Sequence, residues 1–408
     1  LDTLLAKERV TGYIGFDPTA SSLHVGSLLP IMSLARLQRF GHHAIAIVGG
    51  GTGLIGDPSG KANERQLLDA DQVEVNLAGI RAQLSRFLDF DAAVNPARIV
   101  NNLDWLGQLT LIDFLRDTGK YFTVNYMLSK ESVKRRIASE DGISYTEFTY
   151  MMLQAYDFLA LNEREDCTLQ LGGSDQWGNI LAGADLVRRV RGRKVHGLVF
   201  PLVTNSSGTK FGKTESGTVW LDPERTSPYR FYQFWLNTDD RDVVQYLKFF
   251  TWLGRDEIAE LESSHESAPE KREAHRVLAE HVTRMVHGDE ELSNAVQASD
   301  ILFGGDDGEV TLGGLRAIAG DVPTYVPEEP IDAPVRLLDL LAEAGVTGSK
   351  GEARRLIQAG GLRVNNVRID DTNVDITPAD FVGGEMLLIR KGKKKYHIVH
   401  RTPEGASR

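Results

Sequence analysis

The fold of this chain is decided by residues 13–57, which read YIGFDPTASSLHVGSLLPIMSLARLQRFGHHAIAIVGGGTGLIGD. Apolar residues 13–16 predict a short strand that a turn sequence closes. Apolar residues then recur at helical spacing from 28 to 37, and the unbroken apolar run 44–48 is typical of a strand in a parallel sheet buried on both faces. This order predicts a βαβ unit, in which a ligand binds beyond the carboxyl ends of the strands.

The rest of the chain divides by pattern and composition into further parts. We expect an α/β domain with a Rossmann-like parallel sheet at 1–221, including a helical insertion at about 105–165. A helical domain follows at 222–303, where amphipathic segments run on from a good N-cap. Glycines and four prolines predict a linker at 304–334, before a small α+β module at 335–408.

Composition sets limits on the class of protein. The chain has 408 residues, of which 41% are hydrophobic and 25% charged, as in ordinary globular proteins. Cys167 is the single cysteine, which excludes an intrachain disulfide and a cysteine-rich zinc site and favours a reducing cytoplasm. No apolar run approaches the roughly 20 residues of a spanning helix, and the first residues lack a signal-peptide pattern. We therefore expect a cytoplasmic protein without a membrane partner.

The last part of the chain differs in charge from the rest. Residues 335–408 contain 13 Lys and Arg against 9 Asp and Glu, a net of +4, which leaves −15 for the remainder of a chain whose total is −11. Ser349 predicts the start of a short helix that carries Arg354 and Arg355, and Asn365-Asn366 predicts a hairpin turn. This basic module on an acidic body is suited to an RNA partner.

The glycine-rich segment after the second strand resembles two nucleotide-binding motifs but fits neither. Gly51-x-Gly53-x-x-Gly56 matches the dinucleotide fingerprint, but the Asp-Pro-Ser-Gly sequence at 57–60 breaks the helix that this fingerprint requires. A P-loop is excluded as well, since Ile and Ala stand where it needs Gly and Ser or Thr. Asp57 could bind a substrate ammonium group, although an aspartate that only forms a turn is the simpler alternative.

Two further motifs are suited to phosphate groups. His24-Val-Gly-Ser27 lies where the first helix begins, and a helix N-terminus favours bound phosphate; an ordinary helix start is an equal alternative. Lys210-Phe-Gly-Lys213-Thr214 follows a strand, and its two ammonium groups could stabilise a triphosphate under attack. The alternative there is a solvated lysine-rich turn.

Six motifs in one order carry a resemblance that covers the whole chain. They are Tyr13-Ile-Gly-Phe-Asp17-Pro-Thr19, His24-Val-Gly-Ser27, Gly53-Leu-Ile-Gly-Asp57-Pro-Ser-Gly, Tyr150-Met-Met-Leu-Gln154-Ala-Tyr-Asp157, Gly172-Gly-Ser-Asp175-Gln176-Trp-Gly-Asn and Lys210-Phe-Gly-Lys213-Thr214. Together they resemble the bacterial tyrosyl-tRNA synthetases. The resemblance implies a class I aminoacyl-tRNA synthetase with a Rossmann-like catalytic domain, a helical domain and a C-terminal S4-like domain, working as a homodimer on L-tyrosine, ATP and tRNA(Tyr).

By this resemblance the site residues fall into groups. The residues implied for tyrosine are Tyr13 and Asp157 at the phenol, Asp57, Tyr150 and Gln154 at the α-ammonium group, and Gln176 nearby. Those implied for ATP are Gly15, Asp17, Thr19, His24, Gly26, Ser27, Gly173, Asp175, Lys210 and Lys213. The catalytic group would be His24, Ser27, Lys61, Arg65, Lys210, Lys213 and Thr214. Taken alone, Asp157 could be a surface aspartate and Lys61 and Arg65 solvated charges.

The implied chemistry needs no protein nucleophile. The tyrosine carboxylate attacks the α-phosphate of ATP, pyrophosphate leaves, and tyrosine then passes to the 3′ end of the tRNA. Mg²⁺ would be bound mainly by the phosphates, because the sequence shows no dedicated carboxylate cage for it. Ser27 departs from the family pattern, which has a histidine there; serine carries no positive charge, so phosphate stabilisation should be weaker or fall to His24 and the lysines.

The basic module completes the prediction and leaves two rival readings. Its expected RNA-binding residues are Arg354, Arg355, Arg390, Lys391, Lys393, Lys394 and Lys395, although the lysine run could be only a soluble hairpin tip. One rival is the tryptophan-specific sister enzyme, which should lack the pair Tyr13 and Asp157. The other is a non-catalytic RNA-binding relative, which Ser27 alone would suggest.

Overall fold

The computed structural model describes residues 1–58, 70–140, 142–206, 211–214, 217–304, 309–392 and 395–402, and for Ala70, Lys213 and Thr214 the backbone alone. These residues form two compact units. Residues 1–222 and 245–253 make the first, and residues 223–244 and 254–408 the second. Among the helices described, none has the length and apolar character to cross a membrane.

A parallel sheet organises the first unit. Its strands are β1 (Thr11–Phe16), β2 (His43–Val48), β3 (Arg98–Asn101), β4 (Leu169–Gly173) and β5 (His196–Phe200), in the order β3-β2-β1-β4-β5. All four pairings are parallel. Because β1 lies between β2 and β4, the strand order reverses at β1, and a crevice opens beyond the carboxyl ends of β1 and β4.

The first unit also contains helices. They are α1 (Asp2–Lys7), α2 (Leu28–Arg39), α3 (Gly50–Gly53), α4 (Ala70–Leu84), α5 (Leu103–Leu106), α6 (Leu111–Asp113), α7 (Val124–Leu128), α8 (Glu131–Ile137), α9 (Tyr145–Glu165) and α10 (Trp177–Arg191). Helix α2 confirms the predicted apolar stripe, since its core-facing side chains are buried, and Gly41 lies beyond its end with φ +88°. The predicted βαβ unit is therefore confirmed.

Two details of the first unit differ from the prediction. The glycine segment is not a plain loop, because it contains the single helical turn α3. The motif that contains Lys213 continues into a two-stranded hairpin of β6 (Lys213–Thr214) and β7 (Gly217–Thr218). Both elements are too short for a periodic sequence signal to reveal them.

The second unit begins with helices. They are α11 (Pro228–Leu236), α12 (Val243–Phe250), whose later part belongs to the first unit, α13 (Arg255–Ser267), α14 (Glu273–His287), α15 (Asp289–Phe303), α16 (Leu312–Ile318), α17 (Leu337–Glu343) and α18 (Lys350–Gln358). Helix α11 starts as its sequence predicts: Pro228 occupies the first turn and the Ser227 side chain accepts a hydrogen bond from the Arg230 backbone N–H.

A mixed sheet forms the end of the second unit. Strands β8 (Thr324–Tyr325), β9 (Val335–Arg336), β10 (Leu362–Val364), β11 (Val367–Arg368), β12 (Asp375–Ile376), β13 (Met386–Lys391) and β14 (Lys395–His400) include a five-stranded sheet in the order β11-β10-β13-β14-β8. The predicted hairpin turn is confirmed, with Asn365 and Asn366 at φ 46° and 63°. Ser349 caps α18 through the Glu352 backbone N–H, as predicted.

The predicted linker at 304–334 contains ordered structure. Helix α16 buries Leu315 and Ile318, and β8 adds a parallel edge strand to β14. The prolines that suggested a linker come after α16. Pro323 and Pro327 flank the short β8, and Pro334 precedes β9, so prolines lie between ordered elements rather than in a free tether.

Candidate active site

A cavity of about 400 Å³ lies in the first unit at the point where the strand order reverses. Fourteen of the residues expected from sequence line it: Tyr13, Gly15, Asp17, Thr19, His24, Gly26, Ser27, Asp57, Tyr150, Gln154, Asp157, Gly173, Asp175 and Gln176. They come from the ends of β1 and β4, the start of α2, the segment after α3 and one face of α9. Motifs up to 163 positions apart in the sequence thus share one site of small-molecule size.

Asp157 lies on the buried face of α9 and is held from two sides. Its Oδ1 accepts a hydrogen bond of 2.7 Å from Trp105 Nε1, and its Oδ2 accepts one of 3.0 Å from Asn102 Nδ2. Burial disfavours the charged form and raises the pKa of Asp157 to about 7, although both hydrogen bonds lower it. The carboxyl group is therefore fixed in position before any ligand arrives.

Tyr13 places a buried hydroxyl without a hydrogen-bond partner among the described residues at the cavity. Its ring is buried and meets the Phe158 ring edge to face at 5.4 Å between centroids. Its hydroxyl is buried with no hydrogen-bond partner among the described residues. Burial, followed by the charge of Asp157, raises its pKa well above the usual value, so the hydroxyl keeps its proton as a donor. Since buried polar groups in native proteins are usually paired, this donor points to a ligand acceptor in the cavity.

A second polar cluster joins α9 to the segment after β4. Gln176 Nε2 donates to Asp57 Oδ2 at 2.8 Å, and Gln176 Oε1 accepts from Gln154 Nε2 at 3.2 Å. Asn179 Nδ2 donates to Gln154 Oε1 at 2.9 Å. Tyr150 donates to Asp17 Oδ2 at 3.2 Å. The amide groups hold Asp57 at the cavity wall, where a carboxylate can accept hydrogen bonds from an ammonium group.

The histidine motif forms a tight turn at the start of α2. His24 Nδ1 accepts a hydrogen bond of 3.0 Å from the Gly26 backbone N–H, and its ring lies edge to face on Trp220. A Cβ at Gly26 would lie 2.7 Å from His24 Cε1, so a side chain at position 26 would displace the histidine ring. The accepting role of Nδ1 leaves Nε2 as the protonated nitrogen and hence a donor for phosphate.

The histidine motif and the lysine motif are joined through backbone contacts. The Val25 N–H donates to the Val219 carbonyl at 3.0 Å, and the Val219 N–H donates to the Gly212 carbonyl at 3.0 Å. Gly212 has φ +80°, and a Cβ there would lie 2.5 Å from Val25 Cγ2. The hairpin that begins at Lys213 is therefore anchored beside the start of α2. Lys61, Arg65 and Lys210, and the side chains of Lys213 and Thr214, lie outside the described part of the chain.

Sequence reasoning missed several residues of this site. Asn102 and Trp105 hold Asp157, and Asn102 Oδ1 also accepts from the Gly51 N–H at 2.8 Å, which ties α3 to Asp157. Gln170 lines the cavity from β4, and its buried Oε1 has no hydrogen-bond partner in the described chain. A polar residue in the middle of a buried strand was the one signal that could have identified Gln170.

In the second unit the predicted basic residues lie around α18 and β13. Arg354 and Arg355 are exposed on α18. Lys391 is partly neutralised, because its Nζ donates to Glu352 Oε1 at 2.8 Å and to the Val346 carbonyl at 3.0 Å. This pairing places α18 beside the β13–β14 hairpin. Lys393 and Lys394 lie outside the described residues, and Arg390 lies over the Tyr396 ring at 5.8 Å.

Comparison with known proteins agrees with this architecture. Residues 5–304 match the family model for class I tRNA synthetases (W and Y), and residues 315–399 match that of the tyrosine–tRNA ligase SYY-like C-terminal domain. The chain is 55% identical over 401 residues to a tyrosine–tRNA ligase of Roseiflexus castenholzii, covering 98% of this chain and 95% of that protein. It is also 55% identical over 400 residues to one from Geobacillus stearothermophilus, covering 98% and 94%.

A solved structure is similar over most of the chain. The C-terminally truncated mitochondrial tyrosyl-tRNA synthetase of Aspergillus nidulans has a TM-score of 0.66 and 32% identity, covering 73% of this chain and 87% of that one. The chain therefore belongs to the class I tRNA synthetases of the tryptophan and tyrosine group. Within that group it is a member of the bacterial tyrosine–tRNA ligase family, and its function is that of an aminoacyl-tRNA synthetase.

Proposed function

We propose that this enzyme activates L-tyrosine with ATP to give tyrosyl-adenylate and pyrophosphate, and then transfers tyrosine to the 3′ end of tRNA(Tyr). The observation that carries the amino-acid specificity is the unpaired hydroxyl of Tyr13 near the fixed carboxyl group of Asp157. A tyrosine phenol can accept from Tyr13 and donate to Asp157. Phenylalanine would leave the buried hydroxyl of Tyr13 unpaired, at a cost of about 1–3 kcal/mol, and would give Asp157 no additional hydrogen bond.

The opposite end of the substrate amino acid has its own partners. We assign Asp57, Tyr150 and Gln154 to the α-ammonium group, since Asp57 is a buried carboxylate and the other two lie one helical turn apart on α9. Gln176 positions Asp57 through its 2.8 Å hydrogen bond. The substrate carboxylate is then free to act as the nucleophile.

In the first step a carboxylate oxygen of tyrosine forms a bond to the α-phosphorus, and the bond from that phosphorus to the departing pyrophosphate breaks. We assign His24, Gly26 and Ser27, with Lys210, Lys213 and Thr214, to the phosphates, and Lys61 and Arg65 to the same group from the segment after Asp57. Gly15, Asp17 and Thr19, with Gly173 and Asp175, would hold the nucleoside part. In the second step the terminal tRNA hydroxyl attacks the tyrosyl carbonyl carbon, and AMP leaves.

Mg²⁺ would enter this site with ATP. Three of the carboxylates that line the cavity are engaged by protein donors: Asp17 by Thr52 and Tyr150, Asp57 by Gln176, and Asp157 by Asn102 and Trp105. Carboxylates that already accept hydrogen bonds from the protein are poorly placed to surround a metal ion. The site is therefore suited to a cation that keeps phosphate and water ligands, which is the usual state of Mg²⁺ in nucleotide sites. When bound, Mg²⁺ neutralises the charge of the phosphates.

Exchange of labelled pyrophosphate into ATP tests the first step without tRNA. We expect exchange with tyrosine and not with phenylalanine or tryptophan. Exchange with tryptophan would contradict the assignment of Tyr13 and Asp157 and favour the tryptophan-specific alternative. Absence of exchange with all three, in folded protein saturated with ATP, would favour the non-catalytic RNA-binding alternative.

The domain assignment extends this proposal to the RNA. We assign catalysis to residues 1–221, the anticodon side to 222–303, and tRNA binding to the module at 335–408, in particular to Arg354 and Arg355. The exposed arginines next to the β13–β14 hairpin support this assignment. Arg354→Glu with Arg355→Glu should lower tRNA charging and leave tRNA-independent exchange intact, whereas Arg336→Glu, a control on the same module, should alter neither. Loss of exchange in the double variant would count against the assignment.

A homodimer is the expected state of assembly. Leu111, Ile112, Leu115 and Val124 are exposed within 14 residues of each other, at 70%, 67%, 43% and 60% of their surface. Clustered apolar exposure of this kind marks an association site, and we propose a second copy of the chain as the partner. Ile112→Glu should convert the dimer to monomer in light scattering, while Val94→Glu, at another exposed apolar position, should not. We place the enzyme in the cytoplasm, which suits its single buried thiol, Cys167.

A further inference from the structure

Three side chains with metal-ligating atoms come together in the second unit. Asp240 lies between α11 and α12, His265 near the end of α13 and His275 in the first half of α14. One candidate ligand atom from each lies within 4.8 Å of the other two. None of the three belongs to the motifs assigned above to tyrosine, ATP or RNA.

His275 is a buried imidazole that the protein does not fully satisfy. The residue has 0% exposure, and neither ring nitrogen makes a well-aligned hydrogen bond within the described chain. Its Nε2 lies 3.1 Å from Asp240 Oδ1. Burial of an unpaired polar ring is costly, so this arrangement calls for a compensating partner.

His265 adds a second imidazole with a buried ring nitrogen that lacks a partner in the part of the chain that the structure describes. Its Nε2 lies 3.0 Å from the backbone carbonyl of Asp240, and its buried Nδ1 has no partner among the described residues. A carbonyl can only accept, so Nε2 carries the proton and Nδ1 is the unprotonated nitrogen. An imidazole oriented by a backbone carbonyl through one nitrogen is the usual arrangement when the other nitrogen binds a metal.

We propose that Asp240, His265 and His275 form a zinc site. Two imidazoles and a carboxylate are a ligand set that zinc favours. Zinc–ligand bonds of about 2.0–2.1 Å in a tetrahedron place neighbouring ligand atoms about 3.3 Å apart, close to the 3.1 Å between Asp240 and His275. The three candidate ligand atoms lie within 4.8 Å of one another, and any spacing longer than that of the tetrahedron must contract on binding. The Asp240 side chain is 57% exposed, which leaves a fourth position for water.

Charged groups of both signs lie around Asp240, His265 and His275. Burial, and then the guanidinium of Arg272, lowers the pKa of His275, whereas the carboxylate of Asp240 raises it. Arg272 Nη1 lies 3.6 Å from Asp240 Oδ1 and competes with a cation for this carboxylate. The site should therefore bind zinc more tightly when Arg272 is replaced by glutamine.

The test uses full-length protein stripped of metal with a chelator and titrated with zinc chloride against a chromogenic zinc indicator. We expect one tightly bound zinc per chain. Asp240→Asn and His265→Gln should each weaken binding by at least about tenfold. His281→Ala on α14 and Asp239→Asn beside Asp240 are matched controls and should bind as the unmodified chain does. Zinc should also raise the melting temperature of the unmodified protein and of the controls, but not of the two ligand variants.

Two results would overturn the proposal. One is failure of the unmodified chain to compete with the indicator for zinc. The other is equal zinc affinity in the ligand variants and the controls, which would place the ion on other groups. His275→Asn could fail to fold because His275 is fully buried, so the conclusion depends on the variants at Asp240 and His265.

Discussion

The two sides of the active-site cavity are built in different ways. On the tyrosine side, Asp157 is held by the side chains of Asn102 and Trp105, and the buried hydroxyl of Tyr13 lacks a protein partner. On the nucleotide side, backbone N–H groups hold the histidine turn: that of Gly26 donates to His24 Nδ1, and that of Val25 donates to the Val219 carbonyl.

This difference corresponds to what each side must distinguish. Tyrosine differs from phenylalanine by one hydroxyl, and buried polar groups that only this hydroxyl can satisfy discriminate strongly. The nucleotide side has no comparable discrimination to make. Its task is to stabilise phosphate charge in the transition state, for which positive charges and N–H donors suffice. Substitutions on the two sides should therefore affect different kinetic constants.

The largest effect should come from the nucleotide side. His24→Ala removes the imidazole that we assign to the phosphates, and we expect kcat for adenylate formation to fall by about 10²–10³-fold. The KM for tyrosine should change little. Pre-steady-state measurement of adenylate formation checks this, with His43→Ala as a control. A large rise in the KM for tyrosine would mean that the two sides are not separate.

Asp157→Asn should give the next largest effect. The carboxylate offers a charge-assisted hydrogen bond to the phenol, of about 1.5–3 kcal/mol, so kcat/KM for tyrosine should fall by about 10–150-fold. The kcat/KM for phenylalanine should not fall with it. Steady-state exchange kinetics with both amino acids decide this, and Glu163→Gln, elsewhere on α9, is the control. An equal loss for both substrates would indicate damage to the fold.

The carboxyl group of Asp157 should also make tyrosine binding depend on pH. Because burial raises the pKa of Asp157 to about 7, and because the ionised form accepts the phenol hydrogen, tyrosine should bind more tightly as pH rises toward 7. Below pH 7 the KM for tyrosine should change by up to about tenfold per unit, and level off above it. Asp157→Asn should flatten the profile. A flat profile in the unmodified enzyme would contradict the assignment.

The raised pKa of Asp157 also makes the stability of the fold depend on pH, because protonation and folding are thermodynamically linked. The pKa of Asp157 in the folded protein lies above the value of about 3.9 expected in the unfolded chain, so the folded state binds more protons between these values. The contribution of this group to the free energy of unfolding should therefore fall as pH rises from about 4 to 7. Denaturant titrations of the unmodified protein and of Asp157→Asn, compared across this range, would reveal the difference.

The smallest effect should come from Ser27→His, which restores the family pattern. An added imidazole beside His24 can donate to phosphate, and we expect kcat to rise by less than about tenfold, since one hydrogen bond contributes about 0.5–1.5 kcal/mol. Single-turnover adenylate formation measures this, and Ser22→His, which changes another serine at the cavity, is the control. A decrease in rate would show that the turn is adapted to serine.

Much of the site could be predicted because its residues follow strands or begin helices. Asp17 directly follows β1, Asp175 lies two residues beyond β4, and His24 precedes α2. The carboxyl ends of neighbouring parallel strands lie close together, so these residues meet at one edge of the sheet. A spacing of four residues placed Tyr150 and Gln154 on one face of α9. Local patterns of this kind are visible in a single sequence.

The rest depends on contacts between distant parts of the chain. Asn102 and Trp105 reach Asp157 across 55 and 52 positions, and no local pattern predicts either hydrogen bond. The pairing of Lys391 with Glu352 likewise reduces a positive charge that the sequence counts as free. Short elements such as β8 were missed because two residues carry no periodic signal.

The central claim is that the hydroxyl of Tyr13 recognises the phenol of the substrate. The most direct test compares kcat/KM for tyrosine and for phenylalanine in the unmodified enzyme and in Tyr13→Phe, measured by pyrophosphate exchange. We predict that the preference for tyrosine falls by about tenfold or more, because only tyrosine loses a hydrogen bond. An unchanged preference, with both constants reduced alike, would contradict the claim.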